Sequence, residues 1–204
     1  MEARSGVGAR RAGRADYPDR VTAAREDRRG EILAVAARLF ARDGFHGVSI
    51  DELGAAVGIS GPALYRYFPG KESILSAMLV DISQRLLEGG RERAGSLDGL
   101  IAFHVDFALD HPDLIDVQAR DLAAVPDDDR RAVRRYQAQY VDLWVRALMA
   151  ERPDMSEDRG RAAVHATFGL INSTPHSARL SRPEMTTLLR GMARASLAQA
   201  PAGE

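Results

Sequence analysis

Three features of the 204-residue sequence predict an all-α fold. Apolar residues recur at i, i+3, i+4 and i+7 in one segment after another, no stretch alternates with period two, and glycine, proline and capping residues punctuate the segments. About nine helices are expected, in three regions without internal repeat: a mobile basic tail over 1–24, a helix-turn-helix unit over 25–71, and a larger helical domain over 72–200.

Composition narrows the class. The sequence holds no cysteine, which excludes disulfides and thiolate metal sites, and no run of eighteen apolar residues. With no apolar segment after the basic N-terminus, a cytoplasmic protein without membrane contact is expected. Net charge is −1, but 12 of the 28 basic and 9 of the 29 acidic residues lie in the first 71. The two parts therefore carry about +3 and −4, a bias suited to phosphate in the first part only.

In chain order, residues 1–24 lack apolar periodicity and carry Arg4, Arg10, Arg11, Arg14 and Arg20. Two readings stand: a solvated extension, or an arm adding phosphate or minor-groove contacts. From about Arg25 to Asp43, Ile32, Ala36, Leu39 and Phe40 form an apolar stripe that Val35 widens, and Gly44 supplies the stop. Ser49 and Glu52 have capping-box spacing, so a helix starts there, with Ile50, Leu53 and Val57 on its inner face and Gly58 as its left-handed cap. Ser60 can cap a second short helix, which tolerates Pro62 in its first turn and ends at Pro69 and Gly70. Two short helices joined by a tight glycine-containing turn read as a helix-turn-helix, whose second helix enters the major groove. Gly61 and Ala63 leave its leading edge thin, while Tyr65, Arg66 and Tyr67 reach outward.

The run S-I-D-E-L-G-A-A-V-G-I-S-G-P-A-L-Y-R-Y-F, preceded by R-D-G-F and followed by G-K-E-S-I, resembles the DNA-binding domain of the TetR (tetracycline-repressor-like) family over roughly residues 26–79. The resemblance implies a ligand-responsive repressor rather than an enzyme. Such a protein binds a double-stranded palindromic operator as a homodimer and is released by a small-molecule effector, either a lipophilic compound or an acyl-CoA-like metabolite, with no cofactor. It also implies that Ser49, Tyr65, Tyr67 and Lys71 touch the DNA backbone and that Ser60, Gly61, Pro62 and Ala63 face the bases. Arg66 suits a base or a phosphate equally, and the alternative for the two tyrosines is a half-buried core position.

Beyond the motif, a helix from about Lys71 to Leu87 links the two domains, and Gly89-Gly90 with the following Arg-Glu-Arg reads as a loop. Helices follow over about 97–110, 112–122 and 129–150, then one from about Ser156 to Leu180 kinked at Pro175, and a last one from about Pro183 that includes Leu188 and Met192. The last two are the candidates for an isologous four-helix interface.

No metal or nucleophile pattern occurs, so an all-α enzyme using His104 with a carboxylate is the remote alternative. A DNA-binding dimer without effector is the nearer one. Phe103, His104, Phe107, Trp144, Phe168, Asn172 and His176 are candidates for a ligand pocket. For Phe103 and Trp144 the competing reading is plain core, and for Asn172 and His176 it is a subunit contact.

Overall fold

The computed structural model describes residues 17–199, which form ten α-helices and one 3₁₀ turn. The tail arginines Arg4, Arg10, Arg11 and Arg14 lie outside the described residues. Helix α1 (Tyr17–Asp43) begins earlier than the expected Arg25, and α2 (Ile50–Ala56), α3 (Gly61–Leu64) and α4 (Lys71–Arg91) follow. The larger part comprises α5 (Leu97–Asp110), α6 (Pro112–Asp121) with the 3₁₀ turn Leu122–Ala124, α7 (Asp127–Glu151), α8 (Glu157–Ile171), the single turn α9 (Thr174–Ser177) and α10 (Arg182–Ala198). Both stop glycines behave as expected, with φ of 78° at Gly44 and 72° at Gly58.

Two apolar clusters hold the chain. One joins Ile32 and Phe40 of α1 to Leu53, Leu64 and Phe68 of the motif and to Ile74, Leu75 and Leu79 of α4. Leu39 and Ile50, expected inside, are only half-buried. The other joins Leu87 at the far end of α4 to Leu100, Val105, Trp144, Leu148, Val164, Leu189 and Leu197. Each such burial is worth roughly 1.5–3 kcal/mol. Helix α4 thus belongs to both clusters, and Val117 of α6 is buried in the first, so α6 leans on the small domain as well as building the large one.

Two expectations fail for reasons distant in sequence. Gly89 and Gly90 do not form a loop, because α4 runs through them to Arg91. A Cβ at Gly89 would overlap the Phe103 ring and one at Gly90 the Tyr140 ring, so both glycines permit close helix packing. The helix expected to reach Leu180 with a kink ends instead at Ile171, and Pro175 sits in the first turn of α9, where its missing N–H costs nothing. On α10, Leu188 and Met192 are 45% and 46% exposed, while Met185, Leu189, Ala193 and Leu197 carry the buried stripe.

Candidate DNA-binding face and ligand cavity

The motif is built by local caps and tied down from behind. Ser49 Oγ accepts from the Glu52 N–H at 3.2 Å and the Glu52 carboxylate accepts from the Ser49 N–H at 2.7 Å, closing the capping box. The Ser49 N–H first, and then the Ser49 hydroxyl donating to the same carboxylate at 2.7 Å, hold the Glu52 carboxyl below its ordinary pKa. Ser60 Oγ accepts from the Ala63 N–H at 3.3 Å, and hydrogen-bonded turns carry the chain from Leu64 to Phe68.

Three α1 arginines, which no sequence pattern singled out, grip carbonyls at the ends of the two motif helices. Arg28 donates to the Val57 carbonyl at 2.7 Å and Arg25 to the Arg66 carbonyl at 3.0 Å. Arg29 donates to the Tyr67 carbonyl and stacks 4.1 Å over the Phe68 ring. Cations at the carbonyl end of a helix satisfy orphan acceptors and oppose the dipole.

The surface from Pro62 to Tyr67 faces solvent: Pro62 and Arg66 are exposed, Tyr65 is 55% exposed, and Ala63 and Tyr67 are half-buried. Ser49 is also exposed, as is Ser60. Gly61 is the correction. It is buried, and a Cβ there would overlap the Asp51 carboxylate, while one at Gly54 would meet the Gly61 N and the Ile59 carbonyl oxygen at 2.9 Å. Gly61 is therefore covered by Asp51 of α2 instead of facing outward, and it is the missing side chain of Gly54 that lets α3 cross α2 closely. Lys71 is turned partly inward, its Nζ donating to the Val48 carbonyl at 2.8 Å and standing 4.6 Å over the Phe45 ring.

In the large part, a cavity of about 310 Å³ opens among α4, α5, α6, α7 and α8. Phe107, His104, Phe168 and Asn172 line it as expected, together with Tyr140, Gln118, Gln137 and His165, which the sequence reading passed over. Phe103, Trp144 and His176 do not line it. Phe103 packs on Gly89 beneath the Arg93 guanidinium, Trp144 is fully buried behind His104 and Phe168, and His176 is exposed beside Asp116.

His104 anchors the inner wall. Its ring stacks on Phe168 with centroids 4.6 Å apart, Nδ1 lies 3.1 Å from the Tyr140 hydroxyl, and Nε2 lies 3.1 Å from Asn172 Oδ1. An amide oxygen only accepts, so Nε2 carries the proton and Nδ1 accepts from Tyr140. Burial pushes the His104 pKa down to about 4, partly countered by Asn172, and the ring is neutral near pH 7. Burial likewise pushes the Tyr140 hydroxyl above its usual range.

Helix α6 connects the cavity to α1, the helix that backs the motif. Ile115, Gln118 and Ala119 line the cavity, and the next residue, Arg120, donates to the Phe40 and Ala41 carbonyls at the end of α1 while pairing with Asp116 at 3.1 Å and Asp121 at 3.0 Å. A second recess of about 580 Å³ lies between α1, α4 and the α5–α6 turn, lined by Leu33, Arg38, Asp81, Arg85, Asp110 and Asp113 among others. Among the described residues no group of three or more His, Asp or Glu could hold a metal ion, and no helix is long and apolar enough to cross a membrane.

Residues 32–78 match the family model "Bacterial regulatory proteins, tetR family". The chain is 39% identical over 64 residues to the HTH-type transcriptional regulator EthR of Mycolicibacterium smegmatis, a match covering 31% of this chain and 30% of that protein. It is 27% identical over 168 residues to the HTH-type transcriptional repressor KstR2 of Rhodococcus jostii, covering 75% of this chain and 78% of that one. Among solved structures, a TetR-family transcriptional regulator from Bordetella parapertussis superimposes with a TM-score of 0.70 at 28% identity, over 79% of this chain and 93% of the other. The chain spans about a third of the length of the first curated relatives it matches.

Proposed function

From the premise that this chain belongs to the tetR family of bacterial regulatory proteins, we infer that it is a repressor that binds a palindromic operator as a homodimer and is released by a small-molecule effector. The observation that carries the reading is the solvent-facing surface of Pro62, Tyr65 and Arg66, tied to α1 by Arg25, Arg28 and Arg29, with the far end of α1 tied in turn to the cavity's helix α6 by Arg120. Pro62, Ala63 and Ser60 would meet base edges; Ser49, Tyr65, Tyr67 and the start of α4 at Lys71 would meet phosphates, with Arg66 free to do either.

Dimerisation is supported by an uncovered face of small and apolar side chains. Ala162, Ala166 and Gly169 of α8 and Leu188, Gly191, Met192 and Ala195 of α10 are all exposed, and a Cβ at Gly169 or Gly191 would meet nothing. Two such helix pairs, one per protomer, would make a four-helix seam related by a two-fold axis, and a two-fold dimer of this kind calls for half-sites about one helical turn apart. His165 lies on the same α8 face, so the cavity rim borders that seam.

A ligand between α4 and α8 would displace α6 or α4, and through Arg120 and the shared apolar cluster it would change how the motif is held against the large domain. Operator and ligand then oppose each other by a coupling of about 1–3 kcal/mol. The cavity supports this over an effector-free DNA-binding dimer. The test is an operator-affinity titration by fluorescence anisotropy, on DNA flanking the gene, with and without whatever small molecule copurifies with the protein. Tenfold weaker operator binding in its presence is expected. A molecule that binds the dimer and leaves operator affinity unchanged would overturn the effector part of the proposal.

A further inference from the structure

We propose that the cavity among α4 to α8 takes an electrically neutral, mostly apolar small molecule carrying a hydrogen-bond-accepting oxygen, and that it excludes free carboxylates and coenzyme A thioesters. This rests on the ligand-responsive reading above and names the chemical class that reading leaves open. The first observation is the lining itself: Ile82, Leu86, Phe107, Leu114, Ile115, Val141 and Phe168 supply apolar wall, and no residue that lines the cavity is Asp, Glu, Lys or Arg. A carboxylate drawn into the depth of such a site gives up its water without gaining a fixed cation, since His165, the second imidazole of the lining, is exposed at the rim. His104 cannot serve as that cation, since burial holds it neutral near pH 7.

The phosphates of coenzyme A ask for arginine or lysine at hydrogen-bond distance. Arg120, which follows the lining residue Ala119, is already committed to Asp116, Asp121 and the end of α1, and Arg85, which precedes Leu86, pairs with Asp81 and lines the neighbouring recess instead. The cavity's volume, about 310 Å³, is at the small end of the range of about 300–1,000 Å³ for ligand pockets.

Polar capacity remains in three amides. Asn172 gives its oxygen to His104, which leaves both amide N–H donors without a protein partner. The Gln118 and Gln137 amides also line the cavity and make no hydrogen bond to the described protein. An ester, ketone or hydroxyl oxygen satisfies an amide N–H without bringing charge, and the apolar wall takes the rest of the molecule.

Trp144 is the chain's only tryptophan, and its ring centroid lies 4.9 Å from that of Phe168 and 5.7 Å from that of His104, so its emission reports on occupancy of the cavity. The test titrates the full chain, without DNA and at neutral pH, with methyl decanoate, 1-decanol, decanoate and decanoyl-CoA, following Trp144 emission and, independently, heat by calorimetry. The ester and alcohol are expected to bind at least about tenfold more tightly than the carboxylate and the thioester. Gln137→Arg, which replaces an amide at the half-buried rim with a cation, is expected to raise the ratio of decanoate to 1-decanol affinity about tenfold. Decanoate or decanoyl-CoA binding as tightly as the neutral pair, or no binding by the neutral pair, would overturn the proposal. The wild-type comparison stands whether or not the variant folds. Because operator is absent, a failure here is distinct from a failure of DNA release.

Discussion

The helix-turn-helix motif and the cavity of the large part use polar chemistry in opposite ways. Around the motif it is charged and close to the surface: Arg25, Arg28 and Arg29 reach across from α1 to backbone carbonyls, and Lys71 does the same for Val48. Around the cavity it is uncharged and largely buried, as the chain Tyr140–His104–Asn172 stacked on Phe168. The first arrangement fixes the backbone of two short helices that could not hold themselves, since a helix of four to seven residues is marginal alone. The second leaves a cavity in which a neutral guest need not compete with fixed charge. Charge where DNA would dock and neutrality where a ligand would enter is the division of labour the contrast teaches.

The contrast can be broken at the large core first. Trp144→Ala removes a fully buried ring and should lower unfolding free energy by about 3–5 kcal/mol in urea titration. A loss under about 1 kcal/mol would mean the second cluster is not what holds that part together.

The buried imidazole gives the next largest effect. Folding keeps His104 neutral down to about 4, whereas in the unfolded chain it protonates near 6.5. Stability is therefore fully present above pH 6.5 and falls as pH drops towards 4, by about 3 kcal/mol at the end of that window. His104→Gln should flatten this part of the pH profile, and an unchanged slope would show that the imidazole is not shielded.

On the motif side the expected effects are smaller but fall on a different readout. Arg28→Ala frees the Val57 carbonyl and should cost about 1–2 kcal/mol of stability, with operator affinity falling as the end of α2 loosens. Ser49→Ala removes the capping box and should cost about 1 kcal/mol by thermal unfolding. If either changed cavity binding as much as it changed DNA binding, the two regions would not be chemically separate.

How much was legible in sequence follows the same line. Ser49 with Glu52, Ser60 with Ala63, and the stops at Gly44 and Gly58 are contacts within a few residues, and their spacing alone predicts them. The arginine ties span 29 to 41 positions, and the packing partners of Gly89 and Gly90 are on other helices, so no local pattern reports them. Gly61 read as a thin edge towards DNA because no pattern around it reports that Asp51, ten positions earlier on α2, covers it. In the cavity, Phe107 and Phe103 are one turn apart on α5, yet Phe107 lines it and Phe103 packs on Gly89. Apolar periodicity finds the inner stripe of a helix but does not distinguish the part of it that meets a void from the part that meets a neighbour.

The most direct test is selection of duplexes from a random-sequence pool by the full-length chain, followed by affinity measurement for Tyr67→Phe and Pro62→Ala on the winning sequence. Enrichment of an inverted repeat with half-sites about one helical turn apart, weakened by either substitution, is the predicted result. A pool that yields no repeat, or a repeat bound equally well by both variants, would contradict the claim that this face meets DNA.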